Sequence, residues 1–123
     1  HYYRAKAYLD AGKVEGAMDD LKILAKDTRN IYGAEAKYKV AQIYFDAGQT
    51  EQAEKEVLDY IEVSTPHTYW LARSFVLLSD VYMKLGRNLD AKQYLLSLKQ
   101  NYQADDDIAG MIESRLNKLN AEN

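Results

Sequence analysis

Apolar residues fall along this chain in short trains spaced three and four positions apart. Ala17, Leu21, Leu24 and Ala25 form one; Ala53, Val57, Tyr60 and Ile61 form another; Ala91, Leu95 and Leu98 form a third. Before them run Ala5 and Tyr8, then Val40, Ala41 and Tyr44, then Phe75, Leu78, Ser79 and Tyr82. This spacing turns one face of a helix toward a core. A last train, Ile108, Met111, Ile112, Leu116 and Leu119, is backed by Glu113, Ser114, Asn117, Lys118 and Asn120. One apolar and one polar face suit the terminal helix of a stacked array.

The trains are punctuated by a repeated motif. Tyr-x3-Gly-x4-Ala occurs as Tyr8-Gly12-Ala17, Tyr44-Gly48-Ala53 and Tyr82-Gly86-Ala91. The composition predicts about 0.07 chance occurrences. The glycines are 36 and 38 residues apart, a period that marks an array of helical units. Each glycine is expected to end a helix, because it enters the left-handed conformation without penalty. The next helix should then begin at Thr50 and Asn88, good N-caps followed by acidic Glu51 and Asp90, with Val14 a departure in the first copy. The alanine comes early in the second helix because two helices joined by a tight turn approach closely there.

Pro66 is the only proline, and Ser64-Thr65-Pro66-His67 reads as a break between the second and third copies. The chain thus divides into repeat 1 (1–29), repeat 2 (30–65), repeat 3 (66–103) and a capping helix (104–120), all one domain. With 123 residues it is long enough to bury a core of its own.

Composition narrows the function by exclusion. Net charge is −3, with Lys and Arg interleaved among Asp and Glu, so there is no basic stripe for nucleic acid. There is no cysteine, hence no disulfide, thiol catalysis or thiolate metal site. No apolar run approaches the roughly 18 residues of a membrane span. Phosphate loops, nucleophile elbows and zinc-protease motifs are absent. The carboxylates read as solvated helix faces, with Glu51–Lys55 and Asp80–Lys84 as i,i+4 pairs. The Asp105-Asp106-Asp107 run lacks the alternation of a calcium loop and reads as an acidic helix start. His67 has no second histidine near it in sequence for a metal, and Trp70 reads as packing across a repeat junction. No cofactor, metal or catalytic residue is expected.

The residues Ala5, Tyr8, Gly12 and Ala17, with Ala41, Tyr44, Gly48, Ala53 and Ser79, Tyr82, Gly86, Ala91, resemble the tetratricopeptide (TPR) repeat pattern over residues 1–102. The position that family fills with Trp is His1, Lys37 and Phe75 here, and the period is longer than the family's usual ~34 residues. That longer spacing resembles TPR proteins of the bacterial cell envelope, so envelope or periplasm and cytoplasm are both open as locations. The resemblance implies an all-α solenoid of about seven helices: three helix-turn-helix repeats and a C-terminal cap in a right-handed superhelix.

The resemblance also implies a concave groove that holds a peptide or partner segment. By position its lining would be Tyr2, Lys6 and Leu9; Glu35, Tyr38, Lys39, Gln42 and Phe45; and Arg73, Val76, Leu77, Asp80 and Met83. Of the positions by which some members clamp a terminal carboxylate, only Arg73 is like-for-like, which argues against that ligand. The expected function is a protein-protein interaction scaffold. The alternatives are an array that only positions neighbouring domains and, further off, a regulatory subunit or enzyme domain. An abrupt start at His1 suggests the C-terminal part of a longer protein, or self-association through the uncapped end.

Overall fold

A computed structural model describes residues 1–63 and 65–121, and every described element is helical. The helices are α1 (Tyr2–Asp10), α2 (Val14–Leu24), α3 (Ile31–Asp46), α4 (Thr50–Glu62), α5 (Thr68–Lys84), α6 (Asn88–Asn101) and α7 (Ile108–Ala121). They pack as hairpins α1/α2, α3/α4 and α5/α6, with α2 against α3, α4 against α5, and α3 beside α5. The last helix, α7, lies on both α5 and α6, as α5 lies on α3 and α4. It therefore occupies the place of a first helix in a fourth unit.

The three hairpin turns have one geometry. Gly12, Gly48 and Gly86 have φ of 75°, 81° and 76°, and are the described residues in the left-handed region. Each glycine N–H donates back to Leu9, Phe45 or Met83 at 3.0–3.1 Å. The following N–H, from Lys13, Gln49 or Arg87, donates to the carbonyl of Tyr8, Tyr44 or Tyr82 at 2.7–2.8 Å. Two carbonyls that the helix end would leave orphaned are thereby satisfied in every copy.

This turn also corrects the expected capping. The helices α2, α4 and α6 are entered from Lys13, Gln49 and Arg87, and no side chain caps any of them. Thr50 and Asn88 already lie inside their helices, one residue too late to cap. The turn needs only one residue between glycine and helix, so Val14 is no departure from its counterparts. A side-chain cap does appear at α3, where Asn30 Oδ1 accepts from the Tyr32 N–H at 2.8 Å. At α7, Asp106 Oδ1 accepts from the Ile108 N–H at 2.9 Å.

Ala17, Ala53 and Ala91 are each 0% exposed, as close approach of the paired helices requires. The core runs along the stack in two clusters that share α3. Ala36 and Val40 of α3 face Ala5, Ala17 and Leu21, whereas Tyr38 and Ala41 face the larger cluster that extends to α7. Ile108, Ile112, Leu116 and Leu119 are buried there, and Glu113, Ser114, Asn117, Lys118 and Asn120 are exposed, as the two-faced pattern predicts. Gly33 sets the spacing of the first two units: a Cβ on it would stand 1.8 Å from the Asp27 carbonyl oxygen.

The loops between hairpins are tied at the same period. Thr65 Oγ1 donates to the Thr28 carbonyl (2.7 Å), and His67 Nε2 contacts the Arg29 carbonyl oxygen at 2.8 Å. The break expected over 64–67 thus joins two inter-hairpin loops, although Ser64 lies outside the described residues. One carboxylate departs from the solvated faces assigned to acids. Asp20 is 1% exposed and accepts two hydrogen bonds from Arg4, through Nε at 2.7 Å and Nη2 at 2.5 Å. Those bonds hold its carboxyl below the ordinary carboxylate range against the opposing effect of burial.

Candidate functional site

The thirteen side chains expected to line a groove belong to α1, α3 and α5, and they fall into three groups. Tyr38 (7% exposed), Val76 (3%) and Leu77 are buried in the core beside α7. Tyr2, Glu35, Lys39, Gln42, Arg73 and Asp80 are tied to one another or to neighbours by polar bonds. Lys6 is exposed, while Leu9, Phe45 and Met83 are half-buried.

The second group forms a ladder along the face made by α1, α3 and α5. Glu35 accepts from Lys39 one turn on at 2.5 Å, and the Tyr2 hydroxyl approaches both Glu35 oxygens at 3.4 Å. Next, the Tyr38 hydroxyl donates to Gln42 (2.9 Å), whose amide donates to Asp46 (2.8 Å). Arg73 donates to the Tyr38 hydroxyl at 3.1 Å and to the Tyr69 hydroxyl at 2.8 Å. Tyr69 in turn donates to Asp107 at 2.9 Å.

Arg73 is the centre of this arrangement. Its guanidinium carbon lies 4.9 Å from the Tyr38 ring centre and 5.8 Å from those of Tyr69 and Trp70. Burial alone would lower its pKa, but the bonds to Tyr69 and Tyr38 outweigh that and raise it. The fixed, delocalised charge therefore joins the second hairpin, the third hairpin and the start of α7. Trp70 packs against Tyr38 at 5.6 Å between ring centres, across the junction expected from sequence.

Asp80 pairs with Arg115 of α7 through two bonds, 2.7 and 2.9 Å, and not with Lys84. The bidentate fork suits carboxylate geometry better than a flexible ammonium one turn away. Arg115 stands 35 residues after Asp80, the separation that also brings Arg73 to Tyr38, though the two pairs are not at equivalent positions of the repeat. Reading α7 only as a cap hid this link.

Beyond the Asp80–Arg115 pair the face opens into a pocket of about 490 Å³, lined by Phe45, Asp80, Met83, Lys84, Asn88 and Lys118. Three of these are among the sequence-derived thirteen; Lys84, Asn88 and Lys118 are additions. No three His, Asp or Glu side chains among the described residues gather as metal ligands, and no described helix is long and apolar enough to cross a membrane. The class the fold defines is thus an all-helical protein of stacked hairpins with a polar-laced face along α1, α3 and α5. No known protein family, curated protein or solved structure matches the chain.

Proposed function

We propose that the chain is a TPR-type array, wound as a right-handed superhelix, that acts as a scaffold by holding a peptide or partner segment on its inner face. One observation carries this reading: Phe45 from the end of α3, and Asp80 and Met83 from the end of α5, converge on one open pocket with Lys84, Asn88 and Lys118. Two apolar side chains, Phe45 and Met83, beside a carboxylate, an amide and two ammonium groups suit a segment that carries both apolar and charged side chains. The three matching turns support the repeat architecture, and the rigid ladder supplies a preorganised surface.

A second reading is favoured by a different observation. Tyr38 and Val76 are buried instead of exposed as a patch, and Arg73 and Asp80 are engaged within the fold. An array that only positions neighbouring domains would look like this. Affinity capture with the wild type, Phe45→Ala/Lys118→Glu, and the control Lys55→Glu on exposed α4 separates the two. A partner held by wild type and control but lost by the double variant supports the groove. Identical partners for all three proteins overturn it in favour of the positioning array.

A further inference from the structure

The repeat supplies an internal control for reading surfaces. At the junction of the second and third hairpins, Glu54 and Arg87 meet across the cleft at 3.7 Å, and Arg87 lies 4.4 Å over the Tyr82 ring. An ion pair and a stacked guanidinium thus stand at this junction, and the opening beside them, about 710 Å³ with Thr50, Glu51 and Leu85 in its lining, is mainly polar. At the junction of the first and second hairpins, the residues in the places of Glu54 and Arg87 are Met18 and Gln49. Thr50 is likewise matched by Val14, which is 44% exposed. The backbone frame is the same, since both turns carry the same glycine and hydrogen bonds.

The result is an open apolar cleft of about 610 Å³ between α1, α2 and the end of α3, with Leu9, Val14, Met18, Ile43 and Tyr44 as its walls. The hairpin geometry does not demand Val14 and Met18, because the next junction has Thr50 and Glu54 in their places while keeping Phe45, Val81 and Tyr82 where the first has Leu9, Ile43 and Tyr44. Two carboxylates, Glu15 and Asp46, stand in the lining, and among the described residues lining it there is no Lys or Arg. At the next junction the counterpart of Asp46 is Lys84.

We infer that this cleft is a docking site for a protein segment that presents a bulky apolar side chain beside a Lys or Arg. The apolar side chain enters between Met18 and Ile43, and the cation meets Glu15 and Asp46. Methionine in the wall suits an adaptable contact, and the carboxylates select the sign of the incoming charge. The inference does not depend on the groove reading, because the two surfaces share only Leu9 and, through its bond from Gln42, Asp46.

The test uses two capped dipeptides as probes, acetyl-phenylalanyl-arginine amide and acetyl-phenylalanyl-glutamate amide, titrated to about 10 mM while methyl resonances are followed. The expected result is saturable shifts of the Val14, Met18 and Ile43 methyls, with the arginine probe binding roughly fivefold or more tightly than the glutamate probe. Added salt should narrow that difference. Met18→Glu, which installs the residue of the next hairpin at an accessible place, should abolish binding while leaving shifts far from the cleft unchanged. Glu15→Gln/Asp46→Asn should retain binding and make the two probes equal. Absence of methyl shifts, equal binding of both probes to the wild type, or unchanged binding to Met18→Glu would each overturn the inference.

Discussion

Gly33→Ala places a single methyl group where the first two hairpins come closest. Its Cβ would lie 1.8 Å from the Asp27 carbonyl oxygen and 2.7 Å from that of Leu24, both backbone atoms that cannot swing aside. Restoring ordinary contact requires α3 to withdraw from the α2–α3 loop by roughly 1.5 Å. Withdrawal loosens Ala34 and Ala36, which are fully buried in the same helix. Overpacking of this kind costs about 3 kcal/mol at the upper end of its usual range. Alanine returns about 1 kcal/mol through its helix propensity. The net loss is therefore about 2 kcal/mol, set against a total stability of about 5–15 kcal/mol. With a urea slope of about 2 kcal/mol/M, the unfolding midpoint should fall by about 1 M. Gly48→Ala is the matched control: its Cβ meets open space, but φ of 81° costs about 1–2 kcal/mol. A Gly33→Ala midpoint equal to or above wild type would refute the close approach, because propensity alone would then have decided the outcome.

Three further perturbations probe other parts of the stack. Asp20→Asn should remove an acid-sensitive component of stability. Because folding lowers the Asp20 pKa, its contribution is present above the unfolded value near 4 and is lost as pH falls through the lower folded value. The variant's stability should accordingly lie below wild type at pH 7 and converge with it in acid, as measured by denaturation at each pH. Arg73→Gln, which loses the charge shared by Tyr38, Tyr69 and Trp70, should destabilise by about 1–2 kcal/mol in urea, and Arg73→Lys should not restore it fully. Truncation after residue 104 removes the buried Ile108, Ile112, Leu116 and Leu119, worth about 6–12 kcal/mol by area as an upper bound. Circular dichroism and gel filtration should then show loss of helix or aggregation.

Much of the fold was legible because its devices are local. A left-handed glycine, an alanine at a close crossing and an apolar stripe each act within a few residues, so Tyr8-Gly12-Ala17 and its copies placed the turns correctly. The all-helical class, the hairpin turns and the two faces of α7 followed from that. Contacts between units were less visible because their partners lie 35–38 residues apart. Asp80 looks equally suited to Lys84 one turn away, and only the docking of α7 brings Arg115 to it. Asp20 resembles any helical acid until Arg4 folds over it. Gly33 carries no left-handed angle and is explained solely by the neighbouring loop. Thr50 and Asn88 misled for a different reason: their side chains can cap, but the glycine turn leaves no room for one more residue.

Interactions that recur with the period hold the stack; interactions that break it are where binding chemistry can differ from one unit to the next. Tyr8, Tyr44 and Tyr82 give the same carbonyl to the same turn, and Ala17, Ala53 and Ala91 disappear equally into the core. None can distinguish a partner. The places that change are Leu9, Phe45 and Met83 near the ends of α1, α3 and α5, Val14, Thr50 and Asn88 at the turn, and Met18, Glu54 and Lys92 one helical turn on. Asp46 becomes Lys84, and Gln49 becomes Arg87. Glu54 and Arg87 put an ion pair where the first junction has Met18 and Gln49 without moving the backbone frame, which is how an array of equal units acquires unequal surfaces. Exchanging Met18 and Gln49 for Glu and Arg should therefore set the same ion pair across the first cleft and make its lining more polar, with the helices unchanged. If that exchange unfolded the protein, the cleft residues would belong to the scaffold and not to a surface carried by it.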